Sequence, residues 1–171
     1  VAGPRDCAAG RPPEEDMPML VKDIMARSVR TVTPETPLVE VVSLMCLYRF
    51  SGLPVLEDDR LVGIIAEKDV LARMFPTLEE LMEGGMGNVD LDQMMGRYKD
   101  VVRLKVADVM SGRPITVSPD MHALRAAAVM AKHRFRRIPV AEGERLVGML
   151  SLGDVHKAIF EENIARHFTV A

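Results

Sequence analysis

The segment Gly148-Met149-Leu150-Ser151-Leu152-Gly153-Asp154 holds the residues best suited to chemistry in this sequence. An apolar, strand-like run ends at Ser151 and a helical run follows. Ser151 therefore stands at a helix N-terminus, where free N–H groups and the positive end of the helix dipole favour a phosphate. Asp154, one turn in, only accepts hydrogen bonds and can take both hydroxyls of a ribose diol. A second reading fits the same residues: Ser151 caps the helix and Asp154 complements its dipole, with no ligand involved. The densest cationic run, Lys132-His133-Arg134-Phe135-Arg136-Arg137, lies at a predicted helix end just before a strand. Arginine forks suit phosphate oxygens, while cations at a helix C-terminus are also favoured on electrostatic grounds alone.

Other chemistry has little support. His122, His133, His156 and His167 are too scattered for metal-ligand spacing, and none pairs with a nucleophile signature. The two cysteines, Cys7 and Cys46, form neither a disulfide framework nor a zinc site. No Walker lysine motif occurs. Twenty-two Lys and Arg against 25 Asp and Glu leave a net charge of -3, too balanced to wrap nucleic acid without a strongly clustered basic face. No run approaches the length of a membrane span and no basic-then-apolar leader opens the sequence, so a cytoplasmic protein without membrane contact is expected. At 171 residues, 48% hydrophobic and 27% charged, the chain reads as globular, with one domain or two small ones.

The elements that position these residues occur twice. Val21-Lys22-Asp23-Ile24-Met25 matches Val106-Ala107-Asp108-Val109-Met110, and the same offset carries Thr31-Val32-Thr33-Pro34 onto Thr116-Val117-Ser118-Pro119. Further along, Arg49-Phe50 falls on Arg134-Phe135, Pro54-Val55 on Pro139-Val140, Arg60-Leu61-Val62-Gly63 on Arg145-Leu146-Val147-Gly148, and Asp69-Val70 on Asp154-Val155. Each copy reads as β-α-β-β-α. In the first, a short helix at Val21 to Met25 leads to a strand at Arg30 to Val32, a helix to about Tyr48, strands Leu53 to Leu56 and Arg60 to Ile65, and a helix from Glu67. The second repeats this to a helix over Leu152 to Phe168. The fold class is α/β (α+β): two pseudo-symmetric units packed as one body, because some 50 residues cannot bury a self-sufficient core.

The expected divisions are a disordered, Pro- and Gly-rich tail at 1–18, a first unit at 19–72, a helical insertion at 73–105 and a second unit at 106–168. Within the insertion, Thr77 to Glu80 and Asp90 to Gln93 each fit a helix-starting capping box around the breaker Gly84 to Gly87. Apolar helix faces at Val41, Met45, Ala126, Met130, Val155 and Ile159 carry more surface than one partner copy covers, so a homodimer is expected.

The tandem order D-h-M, T-V-x-P, h-P-V and R-L-V-G-h-h-x-x-x-D over residues 20 to 168 resembles a pair of CBS (cystathionine β-synthase) domains, the Bateman module of stand-alone bacterial type. The resemblance implies a non-catalytic regulatory module that binds an adenosyl ligand between the copies, AMP, ADP or ATP first, and signals occupancy to a regulated protein. S-adenosylmethionine or NAD are alternatives within the same fold. A structural or nucleic-acid adaptor using residues 132–137 is the alternative of another class. The family marker G-h-h-[ST]-x-x-[DN] is complete at Ser151 and Asp154; the first copy keeps Asp69 but has Ala66 in place of the hydroxyl. The resemblance assigns adenine to Ile115, Thr116, Ile138 and Pro139 in the second copy and to Arg30, Thr31, Leu53 and Pro54 in the first, with His133, Arg134 and Arg137 toward phosphate. With Ser51 and Gly52 where the second copy has Arg136 and Arg137, the second site is expected to dominate for phosphorylated ligands.

Overall fold

The computed structural model describes residues 19–76, 82 and 90–168. The expected tail at 1–18, the capping box at Thr77 to Glu80 and the breaker at Gly84 to Gly87 lie outside the described residues. The first half contains α1 (Val21–Ile24), α2 (Leu38–Tyr48), β1 (Gly52–Glu57), β2 (Arg60–Ala66) and α3 (Glu67–Ala72). The second contains α4 (Leu91–Val101), a 3-10 turn (Val106–Asp108), β3 (Ser111–Gly112), α5 (Ala123–His133), β4 (Arg137–Glu142), β5 (Arg145–Ser151) and α6 (Leu152–Phe168). α4 starts where its capping signal placed it, with the Asp90 carboxylate accepting from the N–H groups of Asp92 and Gln93.

Each unit is built on an antiparallel hairpin, β1 with β2 and β4 with β5. Both loops have two residues but turn differently. Asp58 and Asp59 both take positive φ, the type I′ pattern, whereas only Gly143 does so in the second hairpin, the type II′ pattern. α2 and α5 each end on an arginine in the left-handed region, Arg49 and Arg134, both at φ 56°. A glycine usually occupies that place, and an arginine there turns a long cation out of the helix end toward the following strand.

The first strand expected in each copy is reduced. Val32 and Val117 make only single parallel bridges, to Val55 and Val140. The following proline in each copy, Pro34 or Pro119, lacks the N–H that would extend the ladder.

The two hydrophobic cores do not follow the order of the chain. One joins Leu38, Val41, Met45, Leu53 and Ile65 of the first copy to Val106 and Val109 from the start of the second. The other joins Met130, Ile138, Leu150 and Val155 to Val21 and Met25 from the start of the first. Backbone bonds fix the exchange: Leu38 N–H donates to Leu104 O at 2.9 Å, and its counterpart Ala123 donates to Met19 O at 2.8 Å. The helix-face residues expected to wait for a partner chain are used here instead. Val41, Met45, Ala126, Met130 and Val155 are buried within these cores, and Ile159 packs against one of them. What α6 leaves exposed is Leu152, Phe160 and Ile164, with Leu71 and Phe75 exposed at and beyond α3. Among the described residues, no helix is long and apolar enough to cross a membrane.

Candidate functional site

The candidate ribose-binding carboxylates sit at the two hairpin-to-helix junctions. At the second, Asp154 Oδ2 accepts from the Ser151 backbone N–H at 2.8 Å and from Ser151 Oγ at 2.6 Å, and the Asp154 N–H donates to Ser151 Oγ at 3.1 Å. This is a reciprocal cap, so the structural reading of Ser-x-x-Asp is realised. It does not use up the carboxylate, since Oδ1 has no hydrogen bond among the described residues. The first junction is simpler: Asp69 Oδ2 accepts from the Ala66 backbone N–H at 2.9 Å, with no hydroxyl present. In both cases the cap fixes the carboxylate rotamer while leaving the half-buried side chain open on one side.

These carboxylates face the opposite copy. A cleft of about 240 Å³ brings Ser151 and Asp154 together with Arg30, Phe50, Leu53 and Pro54 of the first copy. Its pseudo-symmetric counterpart, about 480 Å³, brings Asp69 and Ala66 together with Ile115, Arg134 and Phe135 of the second. Grouping the candidates copy by copy is therefore corrected: Leu53, Pro54 and Arg30 belong with Asp154, and Ile115 belongs with Asp69. The exchange of leading segments explains this, because it carries each copy's entry chain, Ala26 to Arg30 or Ser111 to Ile115, across the strand of the other copy. None of Thr31, Thr116, His133, Ile138 and Pro139 lines these clefts. Ile138 and Pro139 are buried in β4, and His133 stacks on Phe135 with ring centroids 5.4 Å apart.

Between the two lies a third cleft of about 640 Å³, floored by Ser151, Leu152 and Gly153 at the start of α6 and walled by Arg49, Arg136 and Arg137. The positive end of a 17-residue helix and three arginines line it together, a favourable setting for an anion, although the Leu152 and Asp154 N–H groups are already bonded to the Arg136 carbonyl and Ser151 Oγ. Glu67 stands against them on the same wall. The cations are thus not reserved for the second copy: Arg134, Arg136 and Arg137 also line the cleft of Asp69. Two ring residues join the cleft lining beyond those the sequence reading singled out. Phe50 and Phe135 line the paired clefts, with Arg137 Cζ 5.9 Å from the Phe50 centroid and Lys68 Nζ 5.7 Å from that of Phe135. Their signal was present, since Arg-Phe recurs in both copies.

The family model for the CBS domain matches residues 21–75 and 106–161, the two repeats that form these clefts. The chain belongs to the CBS domain family. Its tandem CBS pair is 33% identical to the uncharacterized protein MJ1426 of Methanocaldococcus jannaschii, over 82% of this chain and 91% of that one. It is 30% identical to the CBS domain-containing protein YhcV of Bacillus subtilis, over 79% of this chain and 81% of the other. Among solved structures it is similar to CBSX2 in complex with AMP, at 26% identity and a TM-score of 0.64, covering 84% of this chain and 98% of that chain. The matched fold is the Bateman-type CBS pair, as the repeat implied.

Proposed function

We propose that this CBS pair is a non-catalytic regulatory module that binds an adenosyl ligand, AMP, ADP or ATP first, in the clefts between its repeats. The observation that carries the reading is Asp154, a carboxylate held by its own helix cap with Oδ1 available, set opposite the apolar Leu53, Pro54 and Phe50. A ribose diol meets the carboxylate, the base lies against the apolar wall, and phosphates run toward Arg49, Arg136, Arg137 and the start of α6. AMP bound to the related CBSX2 supports the same ligand class.

The side chains of this reading hold a ligand and perform no chemical step. Because each cleft takes its carboxylate from one repeat and its apolar wall from the other, an occupant contacts both. Occupancy then favours the arrangement that brings the two walls together, and a regulated protein reads that shift. The half-buried Arg137 lines clefts between the repeats rather than a flat basic face, which favours a small anion over a nucleic-acid backbone. A second copy of the chain is proposed to cover Leu152, Phe160 and Ile164 of α6, giving a homodimer. A cytoplasmic setting, in which the free Cys46 thiol stays reduced, is part of the same reading.

A thermal-shift panel with AMP, ADP, ATP, S-adenosylmethionine and NAD tests the proposal, because a ligand that binds only the native state raises its melting temperature. A rise with at least one of the adenine nucleotides is expected. No rise with AMP, ADP or ATP contradicts the reading, and a rise confined to S-adenosylmethionine or NAD reassigns the ligand.

A further inference from the structure

We propose that Arg137, with Arg136 beside it, is one anion centre shared by both nucleoside clefts, so that the first phosphorylated ligand removes the advantage of phosphate for the second. The inference rests on the nucleotide reading above. Arg137 opens β4 directly opposite Ser151 in the hairpin register, and Leu152 N–H donates to the Arg136 carbonyl at 3.1 Å. The pair is thereby fixed beside the start of α6. From there the Arg137 side chain lines the Asp154 cleft, the Asp69 cleft and the cleft between them.

The pseudo-two-fold would place a second such pair at Ser51 and Gly52. Gly52 holds the matching register position opposite Ala66, and Glu67 N–H donates to the Ser51 carbonyl at 3.2 Å. Neither residue carries a charge. Arg137 reaches across the boundary instead, its guanidinium lying over Phe50 of the first copy. The two helix-end arginines are divided, Arg49 lining the central cleft and Arg134 the Asp69 cleft. The central pair has no duplicate.

Two phosphate tails converging on one pair of guanidiniums compete for the same charge-assisted bonds and repel each other. The order of filling follows from the two junctions: Ser151 offers a hydroxyl where Ala66 has none, and Glu67, which borders the central cleft, also lines the Asp69 cleft but not the Asp154 cleft. The helix after Asp69's junction is also the shorter, six residues against 17. The first phosphorylated ligand therefore takes the Asp154 cleft, and the Asp69 cleft is left to select on nucleoside alone.

Native mass spectrometry and calorimetry with ATP and adenosine test this. The first ATP should bind at least tenfold tighter than adenosine, whereas protein already carrying one ATP should take adenosine at least as readily as a second ATP. Arg137→Gln should shrink the ratio of first-ATP to adenosine affinity, measured on the same variant, from at least tenfold to near one. Ser51→Arg, at a half-buried position lining the central and Asp69 clefts, should return a phosphate advantage to the second site. A second ATP with the same advantage over adenosine as the first, or an Arg137→Gln protein that keeps its full ATP preference, overturns the shared centre and leaves nucleotide binding intact. Failure of both ATP and adenosine to bind overturns both.

Discussion

Met25 packs against the bare Cα of Gly148, where a Cβ would meet the methionine Sδ at 2.5 Å and the Ala26 carbonyl oxygen at 3.0 Å. Met110 and Gly63 repeat the relationship, with Sδ at 2.7 Å and the Ser111 carbonyl oxygen at 3.0 Å. Each leading segment thus docks on the glycine of the other repeat's second hairpin strand. The D-h-M and R-L-V-G motifs are two halves of one contact, and that contact lays the entry chains along the ligand clefts.

Gly148→Ala should therefore destabilise the fold by about 1–3 kcal/mol, the usual cost of overpacking, because Met25 can swing away but the Ala26 carbonyl is held by its bonds to Met149. Gly63→Ala should act alike. In urea melts, Met25→Ala combined with Gly148→Ala should cost clearly less than the two single changes added together, the mark of direct contact. Additive losses would place the methionine elsewhere.

The two hairpins also meet through Arg60 and Glu144, 2.6 Å apart, and Leu61 N–H donates to the Glu144 carbonyl at 2.7 Å. The Arg60 guanidinium, by hydrogen bond and by charge, holds the Glu144 carboxyl below its ordinary value of 4.5. A carboxyl whose pKa is lower in the folded chain stabilises the fold above its unfolded pKa and loses that contribution as pH falls through the folded one. Glu144→Gln should accordingly melt slightly below the wild type at pH 7 in low salt, and the gap should close as the pH drops below about 4. Both groups are largely exposed, so added salt should narrow the gap too.

Cys46 is free, exposed, and lines the central cleft beside Arg49 and Ser151. In a Cys7→Ser background, saturating ATP should slow its alkylation several-fold, by covering the cleft and removing cationic groups that favour the thiolate. Adenosine, without phosphates, should protect it much less. Equal protection by both would show that the phosphates do not lie in this cleft.

Much of this architecture was legible in the residues. The spacing of Val41, Leu44 and Met45 set the helix that runs to Tyr48, and Glu57-Asp58-Asp59 marked the hairpin loop. Gly148 to Asp154 marked the strand-to-helix junction where the capped carboxylate sits. The pairing of pieces was not legible, for a reason inherent in a repeat. Met25 and Met110 are the same residue in the same motif, and each of Gly63 and Gly148 offers the same bare surface. Local sequence therefore cannot say which methionine docks on which glycine, and with that choice goes the assignment of Leu53 and Ile115 to one carboxylate or the other. The first strands are shorter than their residues suggest, because Arg30 and Ile115 line clefts and only Val32 and Val117 pair before a proline ends the ladder.

The site inequality now has a different basis. Ser151 against Ala66 still separates the two junctions, but Arg137 lines both clefts, Arg136 lines the Asp69 cleft and the central one, and Glu67 lines those same two. The second junction remains the expected phosphate site. Asp69→Ala should leave AMP affinity within about threefold of wild type by calorimetry.

Calorimetric titration of AMP into wild type, Asp154→Ala and Phe50→Ala protein tests the central claim, a nucleotide site shared across the two repeats, most directly. Asp154→Ala removes the ribose hydrogen bonds, about 1–3 kcal/mol or roughly ten- to a hundredfold in affinity, and Phe50→Ala, at a half-buried residue of the other repeat that lines the same cleft, should weaken the same binding event while the protein stays folded. Loss from Asp154→Ala with a fully competent Phe50→Ala protein would contradict the account, because the Asp154 site would then not be walled by the first repeat.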